Sequence, residues 1–244
     1  MSSSSEAYTT IVISGPGMNA LGTDLMNHIL GQINAAGDKP LLFAGEGIAF
    51  SAGLDLKEVL RLDRDGMRAF FDLLEQLTAR VYHHPAPTVA AVHGHAIAGG
   101  AVVARACDRV VVCSEGRGRV GLNEVALGLH FPPALLRTLM ARIPPRHHTE
   151  VLLGAGLHKG PEAVRLGLAD VLAEGGPETV LARAEQELIA LSAHPAHAYT
   201  YTKKALQRGV PGVSEQEQAA FERDSLPVWV GQPLKNLIRK ILKL

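Results

Sequence analysis

Four short apolar runs constrain this chain more than any other feature: Thr10–Ser14, Pro40–Ala44, Pro87–His93 and Arg109–Cys113. None of them alternates apolar with polar. Continuous runs of this kind are the mark of strands buried on both faces. Helical spacing fills the gaps. Leu21, Leu25, Met26, Ile29, Leu30 and Ile33 share one helix face, and Phe70, Leu73, Leu74, Leu77 and Val81 share another. Buried strands alternating with helices predict an α/β fold with a parallel sheet. A length of 244 residues, 47% of them apolar, is enough for one sizeable core.

Past Pro132-Pro133 the pattern turns helical. Leu135, Leu136, Leu139 and Met140 mark one helix and Glu150–Leu153 another. Ala163–Leu172 reads as a short helix, a break at Gly167 and a short strand. Val180–Leu191 is amphipathic, and Ser214 with Glu217 forms a capping-box pattern. Leu234–Leu244 carries Lys235, Arg239, Lys240 and Lys243 on its polar side. We therefore divide the chain into a core, 1–190, and a C-terminal helical region, 191–244.

Charge and composition exclude several roles. Lys+Arg and Asp+Glu balance at 24 each, so no net field draws the chain to nucleic acid or to an anionic membrane. No run reaches the roughly 18 apolar residues of a membrane helix. Met1–Glu6 has neither the basic nor the apolar stretch of a secretory signal. Cys107 and Cys113 lack metal-site spacing, so no metal is expected. Two thiols fit a reducing compartment, and a cytoplasmic location is expected.

Three constellations could carry chemistry. The first, Ala49–Lys57, follows a buried strand through a glycine-rich loop whose small residues, Ser51–Gly53, let backbone approach a ligand. By itself it also reads as a turn capped by Asp55. The second, Gly94–Gly100, joins a strand to a helix start, where unpaired N–H groups favour a developing oxyanion. It lacks the spacing of a phosphate loop. The third, Val120–Gly128, sets Glu124 among apolar residues. If buried, that carboxyl would titrate near neutral pH, as a general base needs; the competing reading is a surface glutamate. His83-His84 and His147-His148, flanked by prolines, read as exposed turns, and His93 and His95 as groups near the site rather than bases.

In this order the three motifs resemble the enoyl-CoA hydratase/isomerase (crotonase) family. The resemblance runs from Asn19-Ala20-Leu21 to the last helix and is most specific in 49–58, 88–108 and 121–128. It implies a ClpP/crotonase spiral of repeated ββα units and a C-terminal helical region that trimerises, giving a homotrimer or a hexamer built as a dimer of trimers. It implies an oxyanion hole from the N–H groups of Leu54 and Gly99, with Glu124 as acid–base residue. Ala52, Asp55, Leu56, Lys57 and Gly100 would lie along an acyl-CoA, and Val102, His130 and Phe131 beside its acyl group. No separate cofactor is implied, since coenzyme A enters with the substrate.

The family's hydratases carry a second glutamate three residues after the position of Gly99, where this chain has Val102. Water addition wants both. A single glutamate resembles the mitochondrial-type Δ3,Δ2-enoyl-CoA isomerases, so proton relocation from a 3-enoyl-CoA is the expected reaction, within fatty acid metabolism. The alternatives are hydration, thioester hydrolysis or another specialised acyl-CoA reaction on the same scaffold, and a non-catalytic CoA-binding member of an oligomer.

Overall fold

A computed structural model describes residues 7–210 and 212–244. The start of the chain, Met1–Glu6, where a secretory signal would begin, lies outside them. The elements follow in order: strand β1 (Thr9–Ile13), a single turn α1 (Pro16–Asn19), helix α2 (Thr23–Ala36), strands β2 (Leu41–Gly45) and β3 (Ala49–Ser51), and helices α3 (Leu56–Val59) and α4 (Arg64–Tyr82). Strands β4 (Thr88–Val92) and β5 (His95–Ile97), helix α5 (Gly99–Ala106), strands β6 (Arg109–Cys113) and β7 (Val120–Gly121) and helix α6 (Pro133–Arg142) come next. Then follow strand β8 (Leu157–His158), helix α7 (Gly160–Arg165), strand β9 (Val171–Ala173) and helices α8 (Val180–Ser192), α9 (Ala196–Arg208), α10 (Glu215–Ala220), α11 (Leu226–Val230) and α12 (Gln232–Leu242).

The four apolar runs supply four strands of a five-stranded parallel sheet, ordered β1-β2-β4-β6-β9, with β1 at one edge. Successive residues feed opposite faces, as the strand period requires. Leu41, Phe43, Ala90, Val92, Val110 and Val112 join the main core under α2, α4 and α5, while Leu42, Val89, Ala91 and Val111 meet Val180, Ala184 and Leu188 of α8. Both faces of β2, β4 and β6 are thus covered, which is why those runs show no alternation, while the edge strand β1 buries Ile11 and Ile13 and leaves Thr10 exposed.

A second sheet, ordered β3-β5-β7-β8, is not legible as strands in the sequence. Its members are two or three residues long, too short for a period to register. Yet it shows how the chain repeats. β2/β3, β4/β5 and β6/β7 each place one strand in the large sheet and the next in the small one, and helices follow each pair. This is the crotonase spiral of ββα units.

The region after residue 190 is helical, and it shares the main core: Phe221, Leu226, Trp229, Leu234 and Ile238 belong to it. Helix α9 escapes the apolar pattern because its inner face is polar. Its buried residue is Lys203, whose Nζ lies 2.7 Å from Asp108 Oδ2 and 3.2 Å from the Ala86 carbonyl. Tyr199 donates to the same carboxylate at 2.9 Å, and Arg142 approaches its other oxygen at 3.0 Å. Burial alone would raise the Asp108 pKa, but Lys203 and Arg142 together hold it below the usual carboxylate range. His84 also departs from its expected place. It is buried rather than in an exposed turn, bonded to the Lys39 carbonyl at 2.8 Å, and burial pushes its pKa down. Among the described residues no helix is long and apolar enough to cross a membrane.

Removing one partner of a buried ion pair strands the other charge. Lys203→Met should therefore lower the unfolding free energy by about 3 kcal/mol in urea titration. A loss under about 1 kcal/mol would show that Arg142 and Tyr199 suffice.

Candidate active site

The register of the small sheet brings the three sequence constellations together. Ser51 of β3 pairs with Ala96 of β5, and Ala96 with Val120 of β7. Leu54 lies three residues past Ser51, Gly99 three past Ala96, and Glu124 four past Val120. Three adjacent strands therefore exit, side by side, into the three candidate residues.

At the first exit, Leu54 forms a parallel bridge with Leu21. The bridge bonds belong to its neighbours: Leu21 N–H donates to the Gly53 carbonyl at 2.7 Å, and Asp55 N–H to the Leu21 carbonyl at 3.0 Å. By strand alternation the N–H of Leu54 itself is turned the other way. Gly53 makes the approach possible, since its φ is +98° and a Cβ there would sit 2.8 Å from the Ile97 carbonyl oxygen.

At the second exit Gly99 opens α5. The first bond of that helix runs from Val102 N–H to the Ala98 carbonyl at 3.0 Å, so the Gly99 N–H precedes the helical ladder. Ala98 holds a strained φ of +50°, fixed by its own N–H donating to the Gly121 carbonyl at 2.9 Å. Such strain costs about 1–3 kcal/mol and persists only where the surroundings impose it. A Cβ on Gly100 would fall 2.5 Å from the Ser51 carbonyl oxygen, so α5 packs on β3 through bare backbone.

At the third exit, Glu124 precedes a 3₁₀ turn, Val125–Leu127. Its side chain is 6% exposed, and Oε2 has no hydrogen-bond partner. Burial pushes its pKa up to about 7, offset in part by a hydrogen bond from its own backbone. Glu124 therefore takes the buried reading, not the surface one.

Leu54, Gly99 and Glu124 line one cavity of about 20 Å³, room for about one water. Phe71, Leu74, Val102, Phe131, Pro132, Leu135 and Trp229 complete its wall. Val102 is 1% exposed and brings no polar atom. The sequence does not single out Phe71, Leu74 or Trp229. Leu74 reads as core because its helical spacing looks the same whether a face packs or lines a site.

The remaining candidates are spread out. His130 is a correction: it does not line this cavity. Its ring is exposed and bonds Ser225 Oγ at 2.9 Å, while its carbonyl accepts from Trp229 Nε1 at 3.0 Å. Asp55 caps α3, accepting from Lys57 N–H at 2.8 Å and Glu58 N–H at 3.4 Å, so the turn-capping reading also holds. Ala52 and Leu56 are half-buried beside this turn, and Lys57 is exposed on it. His93 bonds the Gly47 carbonyl at 2.9 Å, and His95 Nδ1 is buried without a partner.

The family model for enoyl-CoA hydratase/isomerase matches residues 4–229. The chain belongs to the enoyl-CoA hydratase/isomerase family. A relative from Thermus thermophilus that carries an enoyl-CoA hydratase name is 36% identical over 185 residues, 74% of this chain and 70% of its own. Human mitochondrial enoyl-CoA delta isomerase 1 is 31% identical over 159 residues, covering 65% of this chain and 52% of that one. The crystal structure of human mitochondrial Δ3-Δ2-enoyl-CoA isomerase superposes with a TM-score of 0.86 over 97% of this chain and 93% of its own. At 22% identity that match is one of fold, and the fold is crotonase-like. Hydratase and isomerase names thus both occur among relatives of this family enzyme.

A buried carboxyl with a raised pKa destabilises the folded state once it ionises. The unfolded group ionises near pH 4.3, the folded one near 7, so the folded protein holds the extra proton between them and loses stability as pH rises through that window. Glu124→Gln should match the parent below about pH 4 and exceed it above about pH 7, by on the order of 1–3 kcal/mol. Thermal melts of both across pH measure this, and a difference independent of pH would contradict the burial argument.

Proposed function

We propose that this enzyme isomerises 3-enoyl-CoA to 2-enoyl-CoA with Glu124 as its single acid–base residue. The observation that carries the reading is an asymmetry: one buried carboxylate with an unpartnered oxygen at the cavity, and Val102 where hydration would want a second.

Glu124 Oε2 takes a proton from C2. The C–H pair becomes the C1=C2 bond of a dienolate, and negative charge gathers on the thioester oxygen, which accepts from the N–H groups of Leu54 and Gly99. Glu124 then returns the proton to C4; the thioester carbonyl re-forms and the double bond lies between C2 and C3. One carboxylate serves both steps because C2 and C4 present the same face. Each oxyanion donor is typically worth about 10²–10³ in rate and the general base about 10²–10⁴. Desolvation suits Glu124 to both steps, since a base near pH 7 is half ionised at neutral pH and still a competent acid for the return of the proton.

Coenzyme A enters as part of the substrate, and no separate cofactor is assigned. Ala52, Asp55, Leu56, Lys57 and Gly100 border the first two exits and are proposed to flank the CoA moiety. A homotrimer or a dimer of trimers is the proposed assembly, with the region from 191 to 244 taking part in it.

Purified protein should convert a 3-enoyl-CoA to its 2-enoyl isomer. Glu124→Gln should lower kcat by at least about 10²-fold. Because the ionised base is required, kcat/KM should rise about tenfold between pH 6 and pH 8 and then level. Isomerase activity surviving in the variant would refute the base, and rapid hydration of crotonyl-CoA by the parent would refute the reaction.

A further inference from the structure

The cavity beside Glu124 is unusually small for a ligand site. It has about 20 Å³, whereas clefts that hold organic ligands run to roughly 300–1,000 Å³. Trp229, on α11, is one of its walls.

Trp229 is held on two sides. Its ring stands edge-on to Phe71, centroids 4.9 Å apart at 82°, and Phe71 in turn packs on Phe221 at 5.8 Å. Its Nε1–H donates to the His130 carbonyl, and the His130 ring bonds Ser225, one residue before α11. The indole is 4% exposed. A second space opens at its chain neighbour. Val228, its chain neighbour, and Leu129, close to Phe131, line an outer, mostly apolar groove of about 400 Å³ together with Leu127, Leu234 and Leu237. Phe131 and Trp229 thus line the inner cavity, and Leu129 and Val228, two residues and one residue before them, line the outer groove.

We propose that Trp229 sets acyl length in this enzyme: the substrates are short-chain 3-enoyl-CoA thioesters, and a long chain is refused because the indole separates the reacting site from the outer groove. Trp229 is a specificity residue and takes no part in the proton transfer. The inference rests on the isomerase reading for its substrate, but on the geometry alone for its length limit.

Two series separate the two. The first is turnover of 3-hexenoyl-CoA and 3-decenoyl-CoA. The second is calorimetric binding of hexanoyl-CoA and decanoyl-CoA, which needs no reaction. A methylene seated in an apolar pocket is worth about fourfold in affinity. An open channel would therefore favour decanoyl-CoA by on the order of 10²-fold. The parent should instead bind hexanoyl-CoA at least as tightly, and should prefer 3-hexenoyl-CoA in kcat/KM by about tenfold or more. In Trp229→Ala both preferences should reverse. Deleting a buried indole can cost about 3–5 kcal/mol, so Trp229→Phe, which keeps an apolar ring and loses the bond to His130, serves as the milder variant. It should move both ratios towards the longer chain. Tighter decanoyl-CoA binding by the parent, or ratios unmoved in both variants, would overturn the proposal. Chain-selective binding without isomerisation would overturn the isomerase reading alone.

Discussion

The pairing register of a four-stranded sheet made of two- and three-residue strands governs the candidate site. Ser51, Ala96 and Val120 stand in a row across β3, β5 and β7. Within three or four residues of that row the chain delivers Leu54, Gly99 and Glu124. A slip by one residue would turn each exiting side chain and N–H to the opposite face. The register is tied to the larger sheet, since β3, β5 and β7 each follow one of its five-residue strands, β2, β4 and β6. The large apolar sheet supplies stability, and the small sheet converts that stability into position.

The site carries two local costs that this frame absorbs. Ala98 keeps a φ of +50° so that α5 can begin at Gly99, and Glu124 keeps a carboxylate oxygen buried without a partner. Each opposes folding, and each suits chemistry: the first exposes an N–H at a helix start, the second raises a base towards neutral pH. Val102 extends the logic, because a second carboxylate there would repel Glu124 and shift it further. The apolar side chain adds no charge, and Glu124 is governed by desolvation, offset in part by its own backbone hydrogen bond. Two sides of the wall come from α4 and α11, far apart in sequence, joined where Phe71 meets Trp229.

What the residues reveal by themselves follows physical signal. The large sheet is legible because burial on both faces writes a continuous apolar run, and Arg109–Cys113 matches β6 residue for residue. The glycine turns are legible because Gly53 and Gly100 sit where no side chain fits. The small sheet is not, since two residues make no period. Helix α9 is not, because Lys203 and Tyr199 turn charge and hydroxyl towards Asp108 where a helix usually turns leucine. The identity of Trp229 as a wall residue depends on contacts about a hundred residues distant, and no local pattern encodes it. His130 is close in sequence to the right place, but its carbonyl and not its ring bears on the site, by holding Trp229.

One carboxylate moving one proton within a small cavity is the central claim, and isotope retention measures it most directly. A 3-enoyl-CoA carrying deuterium at C2 should be converted in ordinary water under single-turnover conditions, and deuterium at C4 of the product measured by mass spectrometry. With Glu124 shielded and room for about one water beside it, a measurable share of the label should reappear at C4. Complete loss of label to solvent, or a 3-hydroxyacyl-CoA product, would contradict the account.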